Sequence, residues 1–215
     1  VDNEKGGKPR SYSPTSDPAR KGSFDLTVKE YSEGCASKYL GSLLVGDTVH
    51  MSRGWPLPAD WMMQRSSGQR VGLIAMGIGI TEAVSVADAE LRQAGNTVVK
   101  LLYANQYFAD RVMLEEISRL EQEFQERFSV QYLTSRETHP EAMHGRVSSQ
   151  ILAACFDWND DLKEASRFLV VGTKPMKKDV YAMIEANGFP EQKHTLLLKQ
   201  FSSRQDKKSK QDESL

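Results

Sequence analysis

The residue types and spacing of two short segments could do chemistry, and the more informative of the two is a pair of glycines at the end of an apolar run. Val71-Gly72-Leu73-Ile74-Ala75-Met76 is short and wholly apolar, as buried strands are, and it leads into Gly77-Ile78-Gly79-Ile80-Thr81. Glycines at a strand-to-helix junction let the backbone approach a phosphate, and the free amides of the helix N-terminus supply donors and positive potential. Because G-x-G turns also serve tight packing, this pattern alone leaves both interpretations open.

A second pattern lies near the start of the sequence, at Arg10-Ser11-Tyr12-Ser13. The fork of an arginine suits a phosphate, an aromatic side chain can lie on a flat ring system, and a hydroxyl can bond a ring nitrogen. The same residue types are common in turns, so this pattern taken alone favours a plain turn.

Alternating strands and helices surround the glycine turn and predict an α/β domain. The predicted strands cover 71–76, 98–103, 129–134, 167–171 and 195–198. The predicted helices cover 81–93, 110–127, 148–154 and 177–186. This order implies a parallel sheet with helices on both faces, which binds ligands beyond the carboxyl ends of its strands.

The first quarter of the chain and its end follow other patterns. Residues 24–31 alternate apolar and polar side chains and predict a half-buried strand, as do residues 48–51, with a short helix at 36–44 between them. Residues 53–70 are rich in Gly, Pro and Ser and predict a connecting loop between domains. Residues 202–215 combine mixed charge with a single apolar residue, which predicts a disordered polar tail.

Composition excludes several classes of protein. The formal net charge of −1 gives no basic field that would attract nucleic acid. No apolar run approaches the roughly 20 residues of a transmembrane helix, and the first residues have no signal-peptide pattern. The 2 cysteines and 4 histidines show neither disulfide nor metal-ligand spacing. We therefore expect an intracellular protein, cytoplasmic or on the cytosolic side of a membrane, with no metal, no transmembrane segment and no nucleic acid partner.

Taken in order, the motifs resemble those of the cytochrome b5 reductase branch of the ferredoxin–NADP reductase superfamily, from about residue 9 to residue 201. Arg10-Ser11-Tyr12-Ser13 is similar to the flavin motif R-x-Y-[ST]. Gly34-Cys35-Ala36-Ser37-Lys38-Tyr39-Leu40 is similar to G-x-x-S-x-Y-L, which holds the flavin pyrophosphate. Residues 22–31 resemble the strand that lines the flavin, with Lys29 on the lysine that faces the nicotinamide.

The second half of the chain carries the nicotinamide motifs of the same family. Ala75 to Thr81 resembles A-G-G-T-G-I-T, and Leu101 to Gln106 resembles the L-[FY]-A-N-Q strand end near the adenosine side of the nicotinamide cofactor. Gly145-Arg146-Val147 is similar to G-[RF]-[VI], and Val170 to Met176 is similar to C-G-P-P-P-M. Phe201 occupies the position of the terminal aromatic residue that lies over the flavin.

The resemblance implies a role for each matching residue. It implies that Thr81, Ser13 and Lys29 contact the reacting rings, while no side chain acts as an acid or base. The residues that it implies for cofactor binding are Arg10, Tyr12, Ser13, Val28, Tyr31, Gly34, Ser37, Gly77, Gly79, Thr81, Asn105, Gly172, Pro175, Met176 and Phe201.

The same resemblance implies a fold and an activity. Residues 1–52 are expected to form the C-terminal part of an antiparallel FAD-binding β-barrel, and residues 71–201 the NAD(P)-binding α/β domain. The first barrel strands of the family precede Arg10, so we expect them to be removed, lost or supplied by another chain. The implied activity is that of an FAD-dependent NAD(P)H oxidoreductase, which takes hydride from NADH to FAD and passes single electrons to a heme acceptor such as a cytochrome b5-like domain.

Departures from the family motifs keep a second hypothesis open. In the family's motifs, a glycine is replaced here by Met76, a threonine by Ile78, a proline by Glu82 and a cysteine by Val171. Lys174 stands in place of a proline and is a candidate cation for a phosphate. A methionine crowds the backbone where a pyrophosphate would approach, and the acid in the first helical turn repels a phosphate. The alternative is a non-catalytic reductase-like scaffold or subunit with a decayed nicotinamide site. The acceptor, the oligomeric state and the choice between NADH and NADPH stay open.

Overall fold

The two regions that the sequence distinguishes form separate units in the structure, a computed structural model that describes residues 10–17, 19–51, 70–92, 95–157, 160–163 and 166–189. The units are Val1–Ser66 and Ser67–Leu215. The predicted last strand at 195–198, Phe201 and the predicted tail at 202–215 lie outside the described residues, and so does the connecting loop except for Arg70. The domain limits given above stay a prediction.

Unit 2 is built on a parallel sheet. Its strands within the described residues are β1 Arg70–Met76, β2 Val98–Asn105, β3 Phe128–Thr134, β4 Ala142–His144 and β5 Ser166–Val171. They lie in the order β4-β3-β2-β1-β5, and every neighbouring pair is parallel. The prediction of a parallel α/β domain is confirmed.

Helices cover both faces of this sheet. After α1 (Cys35–Gly41) in unit 1, the helices are α2 Ile80–Leu91, α3 Leu114–Glu123, α4 Ser149–Cys155, α5 Asp160–Lys163 and α6 Lys174–Ala186. Short 3-10 turns cover Gly77–Gly79 and Phe108–Asp110. Within the described ranges, no helix combines the length and the apolar character that crossing a bilayer requires.

An apolar cluster lies on each face of the sheet. Leu73 and Leu101 belong to the cluster under α2 and α3, whereas Ile74 and Leu102 belong to the cluster under α4 and α6. Successive residues of β1 and β2 are therefore buried on opposite faces, which is why the central residues of both strands are apolar. Each such side chain contributes about 1.5–3 kcal/mol when it is fully buried.

The predicted helix at 110–127 is wrong in its limits. Its periodic residues Ile117 and Leu120 do face the core, but the helix covers only Leu114–Glu123. Met113 precedes it with φ 62, a left-handed backbone that helical periodicity does not reveal, and Phe128 already belongs to β3. The sequence also gave no signal for β4 and α5, which have only three and four residues.

Unit 1 has little regular structure among its described residues. The predicted strands at 24–31 and 48–51 are wrong as strands, since only an isolated antiparallel bridge joins Pro14 to Leu26. Side chains replace part of the ladder there: the Asp25 amide donates to Ser16 Oγ at 3.0 Å rather than to a backbone carbonyl. The helix predicted at 36–44 is confirmed over a shorter range, Cys35–Gly41.

Candidate functional site

The order of the strands places a ligand-binding edge at the carboxyl ends of β1 and β5. The chain runs from β1 to β2, β3 and β4 on one side and then returns to β5 on the other side of β1. In open parallel sheets, ligands bind where the strand order reverses in this way. The turn Gly77–Gly79 follows β1 at this point, and Gly172 follows β5.

The two positions of the turn, Gly77 and Gly79, favour glycine for different physical reasons. Gly77 has φ 58, and a Cβ atom added to it would meet no other heavy atom within 4 Å. A Cβ atom on Gly79 would lie 2.8 Å from the carbonyl oxygen of Val171 and 2.9 Å from its Cγ1. Gly79 is therefore required for packing on β5, whereas Gly77 leaves open space above the backbone that a ligand can approach.

Met76 covers Gly172 on the other side of the same edge. A Cβ atom on Gly172 would lie 2.6 Å from Met76 Cε and 3.3 Å from Met76 Cβ. The methionine that replaces the family's glycine thus fills the space above Gly172, and it is itself only 9% exposed. This end of the sheet is crowded in the way that the sequence predicted.

Thr81 lies in the first turn of α2, directly after the glycines. It is buried, and its hydroxyl donates to the carbonyl oxygen of Ile78 at 3.1 Å. Its oxygen keeps a lone pair for a ligand, whereas a bond donated to a flavin would require the contact with Ile78 to open. The predicted ring contact stays a prediction.

Residues in the first turns of α6 and of α2 also lie near this edge. Pro175 stands at the start of α6, where its fixed φ suits the first helical turn, and Met176 is exposed. Glu82 keeps an exposed surface, but loss of hydration around its carboxyl raises its pKa above the ordinary value, and the nearby ammonium of Lys177 opposes that rise. A lysine beside this acid reduces the repulsion that a phosphate would meet.

Asn105 ends β2 at the neighbouring part of the edge. Its side chain is 9% exposed and interacts with the Tyr103 hydroxyl, but no contact of its Nδ2 atom within the described residues has the full geometry of a hydrogen bond. A buried donor without a partner costs about 1–3 kcal/mol and therefore needs an explanation. A nucleotide hydroxyl or phosphate at this edge would supply the missing acceptor, so the residues of unit 2 fit a dinucleotide.

In unit 1, an arginine and two tyrosines interact where the flavin motif predicts a site. Burial raises the pKa of the Tyr12 hydroxyl, Arg10 opposes this effect, and Tyr31 adds to it, so the three groups lie within electrostatic range. Tyr31 is 51% exposed and Ser13 is exposed, which leaves a ring face and a hydroxyl for a ligand. Arg10 and the two tyrosines fit a flavin nucleotide.

The other residues predicted to bind the flavin lie in positions that are less favourable for contact with a ligand. Ser37 is buried, and its hydroxyl accepts from the Tyr31 amide at 3.2 Å and donates to the Gly34 carbonyl at 3.3 Å. A phosphate contact by Ser37 would have to replace one of these bonds. Val28 is half-buried and Lys29 is exposed. These roles stay predictions.

Sequence reasoning missed an aromatic and cationic cluster beside Asn105. The rings of Phe108 and His139 stack with centroids 3.4 Å apart, and Arg111 Cζ lies 3.2 Å from the Phe108 centroid and 4.5 Å from that of Tyr132. Phe108 and Arg111 come from the segment after β2, Tyr132 from β3 itself and His139 from the loop after β3, so the register between the two strands brings them together. Their types, without that register, carry no recognisable spacing.

Comparison with known proteins agrees with this placement. Residues 73–182 match the family described as "Oxidoreductase NAD-binding domain", and residues 3–54 match "Oxidoreductase FAD-binding domain". The chain is 30% identical over 182 residues to NADH-cytochrome b5 reductase 1 of Mycosarcoma maydis, covering 84% of this chain and 54% of that protein. It is 31% identical over 196 residues to NADH-cytochrome b5 reductase 1 of Candida glabrata, covering 87% of this chain and 66% of that protein.

A solved structure shows the same fold. The cytochrome b5 reductase domain of Ulva prolifera nitrate reductase superposes with a TM-score of 0.65 at 25% identity, covering 85% of this chain and 76% of that chain. An FAD-binding region followed by a nicotinamide-binding parallel sheet defines an oxidoreductase of the ferredoxin–NADP reductase superfamily. Within that class, the chain belongs to the NADH-cytochrome b5 reductase family. It spans 54% and 66% of the length of the two relatives named above.

Proposed function

We propose that the chain is an FAD-dependent NAD(P)H oxidoreductase that takes reducing equivalents from a nicotinamide nucleotide and passes single electrons to a heme protein of the cytochrome b5 kind. The observation that carries this proposal is the edge formed by Gly77 and Asn105. Open backbone and a buried amide nitrogen that makes no hydrogen bond within the described residues lie there, at the carboxyl ends of adjacent strands. When bound, FAD and the nicotinamide supply the hydride and electron chemistry.

The side chains have binding and orienting roles in this proposal. Arg10 would pair with a flavin phosphate, and Tyr12 would lie against the flavin ring, with Ser13 as a polar neighbour. On the sheet, the space above Gly77 admits a pyrophosphate, and Asn105 donates to the adenosine half. The names of the curated relatives support cytochrome b5 as the acceptor.

Flavin binding by variants tests the first half of this proposal. Equilibrium dialysis of the purified protein against FAD should show binding that Arg10→Ala and Tyr12→Ala each weaken about 10-fold, since each loses one charged or stacking contact. Lys21→Ala, which removes an equal charge at an exposed position of the same unit, should bind FAD as the parent does.

The hypothesis of a non-catalytic scaffold predicts instead that the folded protein does not bind FAD. Met76 over Gly172 is the observation that favours it, because it narrows the nicotinamide end of the sheet. A folded protein that stays colourless with excess FAD would support this alternative and contradict the oxidoreductase.

A further inference from the structure

We infer that Ser23 is a phosphorylation site for a protein kinase that recognises basic residues on the amino side of its target serine. This inference goes beyond the proposed oxidoreductase activity and does not depend on it. It is argued from the exposed segment 19–25, from the bonds that hold the end of this segment, and from the contrast with two other serines of the chain.

Ser23 lies in a run of residues whose charge and polarity suit such a kinase. Arg20 and Lys21 stand three and two residues before it, and the apolar Phe24 follows it directly. Kinases select their substrates by complementary charge, so an acidic substrate groove favours two cations on one side of the serine. The run therefore offers a paired electrostatic contact and an apolar contact on either side of one hydroxyl.

The structure leaves the whole run open to solvent. Every residue from 19 to 25 is exposed, and none of them belongs to a helix or a strand. Phe24, a large apolar side chain next to the target, is 54% exposed. Because the segment has no regular structure to lose, it can take up the conformation that a kinase groove requires.

Backbone bonds fix the end of this run without involving the Ser23 hydroxyl. The Thr15 amide donates to the Asp25 carbonyl at 2.9 Å, and the Asp25 amide donates to Ser16 Oγ at 3.0 Å. The segment is therefore a loop held on a folded unit, and a kinase can reach the hydroxyl while these bonds stay in place.

The arginine of the run is held by an ion pair that a kinase can replace. Arg20 Nη2 lies 2.5 Å from Asp25 Oδ2, and the two side chains are 39% and 66% exposed. An ion pair this exposed is weak because water and salt screen it. A phosphate on Ser23 would compete with Asp25 for the same guanidinium, since it offers a dianion in place of a single negative charge.

Two other serines of the chain follow an arginine at the same distance, and they differ from Ser23 in their surroundings. Ser149 is the first residue of α4, and Val147 before it packs against an apolar cluster. Ser13 is followed by Pro14, which has a fixed φ and no amide to donate. Neither serine has a basic residue two positions before it. Of the three serines, Ser23 alone combines both basic residues with an exposed, irregular backbone.

The reaction transfers the γ-phosphoryl group of ATP, which the kinase binds as its second substrate. A bond forms between Ser23 Oγ and the γ-phosphorus, while the bond from that phosphorus to the bridging oxygen of the β-phosphate breaks. ADP leaves with the bridging oxygen, and the hydroxyl proton passes to a carboxylate of the kinase. No group of this chain other than the serine takes part.

Phosphorylation of the folded full chain tests the site. Incubation with MgATP and the catalytic subunit of cyclic AMP-dependent protein kinase, followed by peptide mapping in a mass spectrometer, should place phosphate on Ser23. Ser13 and Ser149 should react at least about 10-fold more slowly, the factor that one charged contact provides. Arg20→Ala should lower kcat/KM at Ser23 about 10-fold for the same reason.

Asp25→Asn is the matched control for the arginine variant. It breaks the same ion pair but leaves both basic residues for the kinase. It should keep kcat/KM at Ser23 or raise it by up to about 5-fold, because Arg20 no longer has to leave a carboxylate. Equal losses in Asp25→Asn and Arg20→Ala would show that the ion pair matters rather than recognition of Arg20, and would overturn the inference.

Two further results would also overturn it. One is the absence of phosphate on Ser23 in protein that keeps its parent melting temperature, with a kinase that modifies a control peptide. The other is an equal rate at Ser23 and Ser149, because local structure would then not select the site. Both results leave the proposed oxidoreductase activity standing.

Discussion

The carboxyl edge of the sheet has two ends that differ in the space and the polar groups they offer. At β1 and β5, Gly79 packs on Val171 and Met76 fills the space over Gly172. At β2 and β3, the buried Asn105 Nδ2 atom makes no hydrogen bond within the described residues, and the Arg136 side chain is exposed. Under the proposed function, this difference places the polar groups at the end proposed for adenosine, whereas side chains fill the end proposed for the nicotinamide.

The largest expected effect is the loss of stability that follows when a side chain is added at Gly79, which packs against β5. Gly79→Ala should lower the free energy of unfolding by about 3 kcal/mol, because the new Cβ meets a backbone oxygen that cannot rotate away. Urea denaturation measures this change. Gly77→Ala is the matched control and should cost only about 1 kcal/mol, for its left-handed φ alone. Equal costs would remove the distinction between the two glycines.

The second effect comes from removing the side chain that narrows the nicotinamide end. Met76→Ala should lower stability by about 2–3 kcal/mol through lost burial. It should also raise the affinity for NADH about 10-fold while leaving 5′-AMP affinity unchanged, since only the nicotinamide half gains room. Calorimetry with both ligands measures the split. Met183→Ala, which removes a methionine packed against the same apolar cluster, should lose stability without a gain in NADH affinity.

The third effect concerns the unpartnered amide at the other end. Asn105→Leu should raise the free energy of unfolding by about 1 kcal/mol, because the buried Nδ2 atom makes no well-formed hydrogen bond within the described residues and its loss outweighs that of the contact with the Tyr103 hydroxyl. The same change should weaken 5′-AMP binding about 10-fold. Asn187→Leu, whose amide donates to the Met183 carbonyl at 2.7 Å, should lower stability and leave nucleotide binding unchanged. A stable Asn105→Leu protein with full 5′-AMP affinity would contradict the role of Asn105.

The smallest expected effect is a pH dependence of the free energy of unfolding, which comes from Glu82 at the crowded end of the sheet. Its pKa in the folded state lies above the ordinary value of 4.5, so the native protein binds the proton more tightly than the unfolded chain. Stability from this group is therefore present at acid pH and lost as pH rises through the raised pKa. Glu82→Gln should match the parent in acid and exceed it slightly at pH about 7, by less than about 1 kcal/mol. Glu115→Gln, in the first turn of α3, controls for loss of an acid at a helix N-terminus.

Much of unit 2 could be predicted from the sequence because its strands are buried on both faces. Runs such as Leu73-Ile74-Ala75 have no polar member and predict central parallel strands. By contrast, β4 is a three-residue edge strand without a fully buried residue, so no apolar pattern marks it. In unit 1, Phe24 is 54% exposed, and the alternation that predicted a strand does not correspond to a covered face.

The candidate site could be predicted in its glycines but not in its contacts. The sequence left phosphate binding and packing open for Gly77 and Gly79, and only the position of the Val171 carbonyl separates them. The placement of Arg136 beside Gln106 depends on the register of two strands that are about 30 residues apart in sequence. No local pattern encodes that register, because it is set by how both strands pack against their helices.

Anaerobic addition of NADH or NADPH to the purified protein, with the flavin absorbance followed through the titration, tests the central claim most directly. The account predicts bound FAD that is reduced by a stoichiometric amount of at least one of the two nucleotides. Protein that holds FAD but shows no change of its absorbance with either nucleotide would contradict it.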